Sequence, residues 1–134
     1  VAGSPVINRV NVKTMPHPGF PTDAQAVIMA ALCKAYGSSI FEENIFESRY
    51  RHVDALVKMG ADIKVIGKAA VVNGVEKLYG AKVSATDLRG GAAMAVAGLG
   101  AEGVTEVAEI HHIDRGYEDM EKAFSSLGGK IQRV

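Results

Sequence analysis

His17-Pro18-Gly19-Phe20-Pro21-Thr22-Asp23 leads into an apolar run, and 64 residues beyond its Thr-Asp pair Ala85-Thr86-Asp87-Leu88-Arg89 leads into another. Behind each Thr-Asp comes an Ala-rich segment, then a glycine (Gly37, Gly103), then an arginine 12 residues further on (Arg49, Arg115). Each copy continues through an amphipathic stretch to another glycine (Gly60, Gly128). A repeat of this length is one supersecondary unit that cannot bury its own apolar face and must pack on a neighbour. The repetition also sets two acid–arginine pairs at equivalent points, and equivalent points of stacked units tend to converge on a shared cleft.

Working outward, Ile7 to Lys13 alternates Val10 and Val12 with Asn11 and Lys13 and reads as a strand. Pro16, Pro18, Gly19 and Pro21 interrupt regular structure. Thr22 or Asp23 is the expected N-cap of a helix that runs to Tyr36 and stops at Gly37. Its body is apolar almost all round, which predicts burial on most sides. Ser39 to Glu42 reads as a short strand, and Arg51 to Met59 as a helix with a single stripe of Val53, Leu56 and Val57. Asp62–Ile66 and Ala69–Asn73 form an expected hairpin across Gly67-Lys68. Lys82 to Ala85 reads as one more strand. The second copy repeats the plan with an apolar helix over Gly91–Ala101, a strand over Val104–Ile110, a helix with Tyr117, Met120, Phe124 and Leu127 on one face, and a final strand over Lys130–Val134. Two all-round apolar helices predict an α/β (α+β) fold with helices packed inward and sheets facing out. A doubly wound Rossmann sheet would instead show all-apolar strands and a glycine fingerprint, and neither is present.

Composition narrows the function classes. Fifteen basic and fifteen acidic residues cancel, and no Lys/Arg run stands out, so nucleic acid and membrane surfaces have no electrostatic claim. Apolar stretches are too short to span a bilayer, and no signal peptide is visible. The single cysteine, Cys33, cannot form an internal disulfide, which fits a reducing compartment. The chain opens at Val1 directly on strand-like sequence and is expected to be a piece of something longer.

Asp23 has two readings. As a helix cap it would satisfy free N–H groups; as a general base it would be a carboxylate held by a Pro- and Gly-stiffened loop. Asp87 and Arg89 stand at the matching place, as cap and surface cation or as parts of an anion site. Arg115, in His112-Ile113-Asp114-Arg115-Gly116-Tyr117, either binds an anion bidentately or pairs with Asp114 or Glu118. Arg49 is its counterpart with the same ambiguity. His111-His112, read as strand residues facing opposite ways, makes a poor metal pair, and no metal site is expected. Cys33, inside a buried helix, is expected to be inert packing. Gly90-Gly91 suits either a phosphate at a helix start or close packing.

Taken together, Pro18–Gln25, Ile45–Tyr50, Met59–Ile63, Ala85–Arg89, Ala101–Gly103 and His112–Glu118 resemble the C-terminal part of the UDP-N-acetylglucosamine enolpyruvyl transferases (1-carboxyvinyltransferases). The resemblance covers nearly the whole chain in order. It implies an inside-out barrel of two lobes, each of three βαβαββ units. Residues 1–134 would then be a single partial domain: a leading strand at 1–13, one unit at about 14–84 and a second at about 85–134. The implied reaction joins the enolpyruvyl group of phosphoenolpyruvate to the 3-hydroxyl of the UDP-sugar and releases phosphate, by addition then elimination. It needs no cofactor and is the first committed step of peptidoglycan synthesis, a cytoplasmic process tied to cell shape and division.

By the same resemblance Asp23 is the base for the hydroxyl, Ile45 contacts the nucleotide sugar through its backbone with Phe46 beside it, and Asp87, Arg89 and Arg115 lie on the phosphoenolpyruvate side. Ser48 stands where Asn is common, and Gly90-Gly91 where Ala or Ser is usual. The reactive cysteine loop and the Lys-Asn pair of the family's other lobe have no match here, so the chain alone is expected to be inactive and prone to self-association. Two alternatives remain open: the shikimate-pathway sibling enzyme, and a non-catalytic repeat module that binds a protein partner.

Overall fold

A computed structural model describes residues 8–16, 19–45, 50–117 and 119–133. The first copy builds a four-stranded sheet in the order β1-β2-β4-β3 from β1 (Val12–Lys13), β2 (Ser38–Glu42), β3 (Asp62–Ile66) and β4 (Ala69–Asn73). The second builds a two-stranded sheet from β5 (Lys82–Ser84) and β6 (Glu106–Ala108). In each sheet the strand before the long apolar helix pairs in parallel with the strand after it: β1 with β2 around α1 (Gln25–Leu32), and β5 with β6 around α3 (Leu88–Gly100). The same β-α-β arrangement therefore occurs twice.

The hairpin forms where the sequence places it, with Ile66 opposite Ala69 and Gly67 at φ +59°. Phe41, Ala70 and Val72 line the inner face of the first sheet and are fully buried against the helices. β1 is shorter than expected because side chains replace backbone in its ladder. Val10 N–H donates to Ser39 Oγ at 3.1 Å, and Ile40 N–H to Asn11 Oδ1 at 3.2 Å.

The layering follows the apolar patterns. α1 buries Gln25, Ala26, Met29, Ala30 and Leu32, and α3 buries seven residues between Gly90 and Ala97. α2 (Val53–Lys58) buries only Val53 and Leu56, and α5 (Met120–Ser126) buries none. α1 and α3 lie side by side in the most extensive contact between helices. On another side of α3, a Cβ at Gly91 would come within 2.6 Å of Ile113 Cγ1, so this glycine is a seat for α4 (His111–Asp114).

Several expectations change. α1 starts at Gln25, not at Asp23, because Thr22–Ala24 form a separate 3-10 turn, and it closes at Leu32, with Gly37 (φ +82°) turning the chain into β2. The strand over Val104–Ile110 shrinks to Glu106–Ala108, since Glu109 at φ 57° breaks the extended run and His111-His112 begin a one-turn helix. Residues 130–133 form no strand; Arg133 is instead held by Asp114. The Tyr117–Leu127 stripe stays largely uncovered, with Leu127 83% exposed. Phe46, Arg49, Glu118 and Val134 lie outside the described residues, as does Ile7, the first residue of the expected leading strand.

Candidate functional site

Thr22 is fixed from beneath. Met15 N–H donates to the carbonyl of Phe20 at 3.1 Å, closing the loop, and Thr22 Oγ1 donates to Glu43 Oε1 at 2.8 Å. Glu43 is only 4% exposed and gathers several donors. Its Oε2 also accepts from Thr14 Oγ1 at 2.7 Å and from Ile45 N–H at 3.0 Å, and Gln25 Nε2 approaches Oε1 at 3.4 Å. One buried carboxylate thus braces both the Asp23 turn and the Ile45 segment, which suits a buried charge that needs several hydrogen bonds to be tolerated.

Asp23, carried outward on the 3-10 turn, makes no cap. α1 has Ala24 at its N-cap without a side-chain bond, and Asp23 Oδ1 instead lies 3.0 Å from Arg89 Nη2. Asp87 is the residue that does cap: its Oδ1 accepts from Gly90 N–H at 2.6 Å, closing the first turn of α3. With Asp87 held by its own helix, Arg89 reaches across to the other copy. Thr22, Gln25, Ala26, His52, Asp87 and Arg89 line a small cleft there.

Arg115 is not part of that cleft's lining. It follows α4, between Ile113, seated against Gly91, and Gly116, where a Cβ would meet Leu88 Cδ2 at 2.6 Å. Both neighbours touch the first turns of α3, so Arg115 is anchored beside Asp87–Arg89. Asp114, one of its expected partners, is engaged by both Nη atoms of Arg133 at 2.9 and 3.1 Å, and Arg115 forms no ion pair with any described residue. This bidentate bond holds Asp114 below the usual carboxylate range.

The sequence reading passed over Glu43 and His52. Glu43 sits in a Glu-Glu-Asn run that looks like a strand end turned to solvent, and nothing in that pattern marks it as buried. His52 is 2% exposed with Nε2 3.3 Å from Met29 Sδ. Burial pushes its imidazole down to about 4, and the nearby Asp87 carboxylate opposes that only in part. The folded chain therefore favours neutral His52, and acid favours unfolding. Its contribution is complete above about pH 6.5 and erodes as pH falls toward 4, by about 3 kcal/mol at most. Urea unfolding at pH 7 and pH 4 should show a smaller acid loss for His52→Leu than for the parent chain; equal losses would contradict a buried neutral imidazole.

Cys33 is buried, donates to the Met29 carbonyl at 3.3 Å, and has its thiol pushed up to about 12 by burial. It is packing, not a nucleophile. Among the described residues no group of three or more His, Cys, Asp or Glu side chains is placed to hold a metal ion, and no helix is long and apolar enough to cross a membrane.

Parallel β-α-β units with their apolar helices laid together, and an acid–arginine contact between the units where those helices start, define a small cleft between two copies of a repeated α/β module. Residues 4–124 match the family described as EPSP synthase (3-phosphoshikimate 1-carboxyvinyltransferase), and the chain belongs to that family. A UDP-N-acetylglucosamine 1-carboxyvinyltransferase of Geotalea daltonii is 52% identical over 134 residues, covering 100% of this chain and 32% of that protein. A UDP-N-acetylglucosamine 1-carboxyvinyltransferase 2 of Clostridium acetobutylicum is 58% identical over 124 residues, covering 92% of this chain and 30% of its own length. The crystal structure of the enolpyruvyl transferase NikO from Streptomyces tendae superposes with a TM-score of 0.87 at 26% identity, covering 98% of this chain and 30% of that one. The chain thus spans about a third of the length of the curated relatives it matches.

Proposed function

We propose that this chain forms part of one lobe of an enzyme that transfers enolpyruvyl from phosphoenolpyruvate to the 3-hydroxyl of UDP-N-acetylglucosamine, releasing phosphate, and so serves peptidoglycan synthesis in the cytoplasm. The observation that carries this reading is the 3.0 Å contact of Asp23 with Arg89 between the two copies, in a chain whose relatives named above bear that activity in their names. In this reading Asp23 takes the hydroxyl proton. Ile45, with its N–H fixed by Glu43, presents backbone to the nucleotide sugar, with Phe46 beside it. Asp87 fixes the first turn of α3, and Arg89 and Arg115 meet the phosphoenolpyruvate side. The division into a leading strand at 1–13, a unit at 14–84 and a unit at 85–134 belongs to the same proposal; the twofold β-α-β pairing supports two units but draws β5 (Lys82–Ser84) into the second. The expectation of self-association by the chain alone, made for apolar faces of the inner helices left without a third unit, belongs to it too; the exposed Leu127 adds apolar surface.

The test uses the intact enzyme. Calorimetric titration should show binding of UDP-N-acetylglucosamine and none of shikimate 3-phosphate, with phosphate release only in the presence of the UDP-sugar. The opposite preference would assign the shikimate-pathway activity, and binding of neither would favour a non-catalytic repeat module. Arg115→Lys should raise KM for phosphoenolpyruvate about 10-fold, near 1.4 kcal/mol, because a point charge replaces a planar fork. Unchanged steady-state kinetics in that variant would remove Arg115 from the site.

A further inference from the structure

Among the described residues Arg89 is the one cationic side chain lining the cleft beside α1 and α3, and its guanidinium is already engaged. Its sequence neighbour Asp87 is committed to Gly90 N–H, so the charge it faces is Asp23. The two partners differ in exposure: the Arg89 side chain is 34% exposed and that of Asp23 64%. The arginine is the more enclosed partner and the carboxylate the one that stands open to solvent. An anion arriving at the cleft therefore meets a cation whose charge is already offset.

We propose that Arg89 is a positioning residue for Asp23 that serves two acids in turn. Without substrate it holds the Asp23 carboxylate across the cleft. When an anionic substrate carrying a carboxylate or phosphate occupies Arg89, Asp23 is released toward the second substrate. The inference rests on the function proposed above for the identity of the anion, but not for the exchange itself. Two negative groups compete for one guanidinium, so anion affinity and the Asp23–Arg89 contact oppose each other. The exchange also orders events, since Asp23 is disengaged only after the acid substrate has arrived.

The test is a double-mutant cycle on the intact enzyme, read by calorimetric titration of phosphoenolpyruvate and, separately, of inorganic phosphate. Asp23→Asn should bind either anion about 2- to 5-fold more tightly than the parent, the range expected when a competing exposed ion pair is removed. In the Arg89→Met background the same substitution should change affinity by less than about 1.5-fold. Asp23→Ala, which removes the acceptor altogether, should follow the same order. Unchanged or weaker binding by Asp23→Asn would overturn the exchange. So would an equal gain without Arg89, because that would mark general repulsion by a nearby negative charge. An absence of turnover in the parent enzyme would instead overturn the function proposed above, while the inorganic phosphate titrations would still decide the exchange.

Discussion

The 134-residue chain on its own is expected to fold and yet to release no phosphate from phosphoenolpyruvate and UDP-N-acetylglucosamine above the buffer rate. Folding is supported by one continuous core in which Phe41, Met29, Leu56, Met59 and Met94 are fully buried and both sheets pack on α1 and α3. Silence follows from what the site must hold at once. Acceleration depends on groups fixed together around the reacting atoms. Here the chain offers Asp23 paired with Arg89, and Arg115 nearby, while the resemblance places the reactive cysteine and the Lys-Asn pair in a lobe this chain does not match. Cys33 cannot substitute, being buried with its thiol near 12. A cooperative urea transition together with undetectable phosphate release is the expected pair of results. Turnover at an ordinary enzymatic rate, about 1 s⁻¹ or faster, would mean that all catalytic groups lie within these residues.

In the intact enzyme, Asp23→Asn should lower kcat by about 10²- to 10⁴-fold, the usual worth of a positioned general base. Its effect on UDP-sugar affinity should stay within about 3-fold, because the amide keeps the shape and much of the hydrogen bonding. The structure sharpens this expectation. Since Ala24 is the N-cap of α1 and Asp23 makes no cap bond, its replacement removes no helix-terminal hydrogen bond, and stability should hold to within about 1 kcal/mol. A stability loss with turnover intact would return Asp23 to a structural role. Steady-state kinetics and a urea titration of the same preparation separate the two.

Features governed by periodicity were legible in the sequence. The all-round apolar runs marked α1 and α3 as inner helices, and the alternation on both sides of Gly67-Lys68 located the hairpin to the residue. The twofold Thr-Asp spacing anticipated a meeting of the two copies near Asp23 and Asp87, but the arginine that reaches Asp23 is Arg89, while of the repeated pair Arg115 stands outside the cleft lining and Arg49 outside the described residues. What escaped was governed by contacts between distant segments. Asp23 reads as a cap because Asp before an apolar run usually is one; only Glu43, from the end of β2, pins Thr22 so that a 3-10 turn carries Asp23 outward. The end of the second strand escaped for a local reason, a left-handed Glu109 that no pattern of apolar residues announces. The expected strand near the end of the chain failed because Arg133 finds Asp114 and Glu121 instead of a strand ladder.

The side-by-side helices are tied at both ends. At one end Asp23 meets Arg89; at the other Lys34 Nζ donates to the Gly100 carbonyl at 3.4 Å. α1 and α3 therefore run in the same direction, and sliding one past the other by a helical turn of about 5.4 Å would break both ties together and unseat the small residues between them. The packed helix pair and its two ties oppose such a shift, so parting Asp23 from Arg89 by side-chain torsion is the smaller motion. Torsions of exposed side chains relax in picoseconds to nanoseconds, whereas helix register shifts take microseconds or longer. In the exchange proposed above, freeing the carboxylate is therefore expected on the timescale of side-chain torsion and not on that of a helix shift.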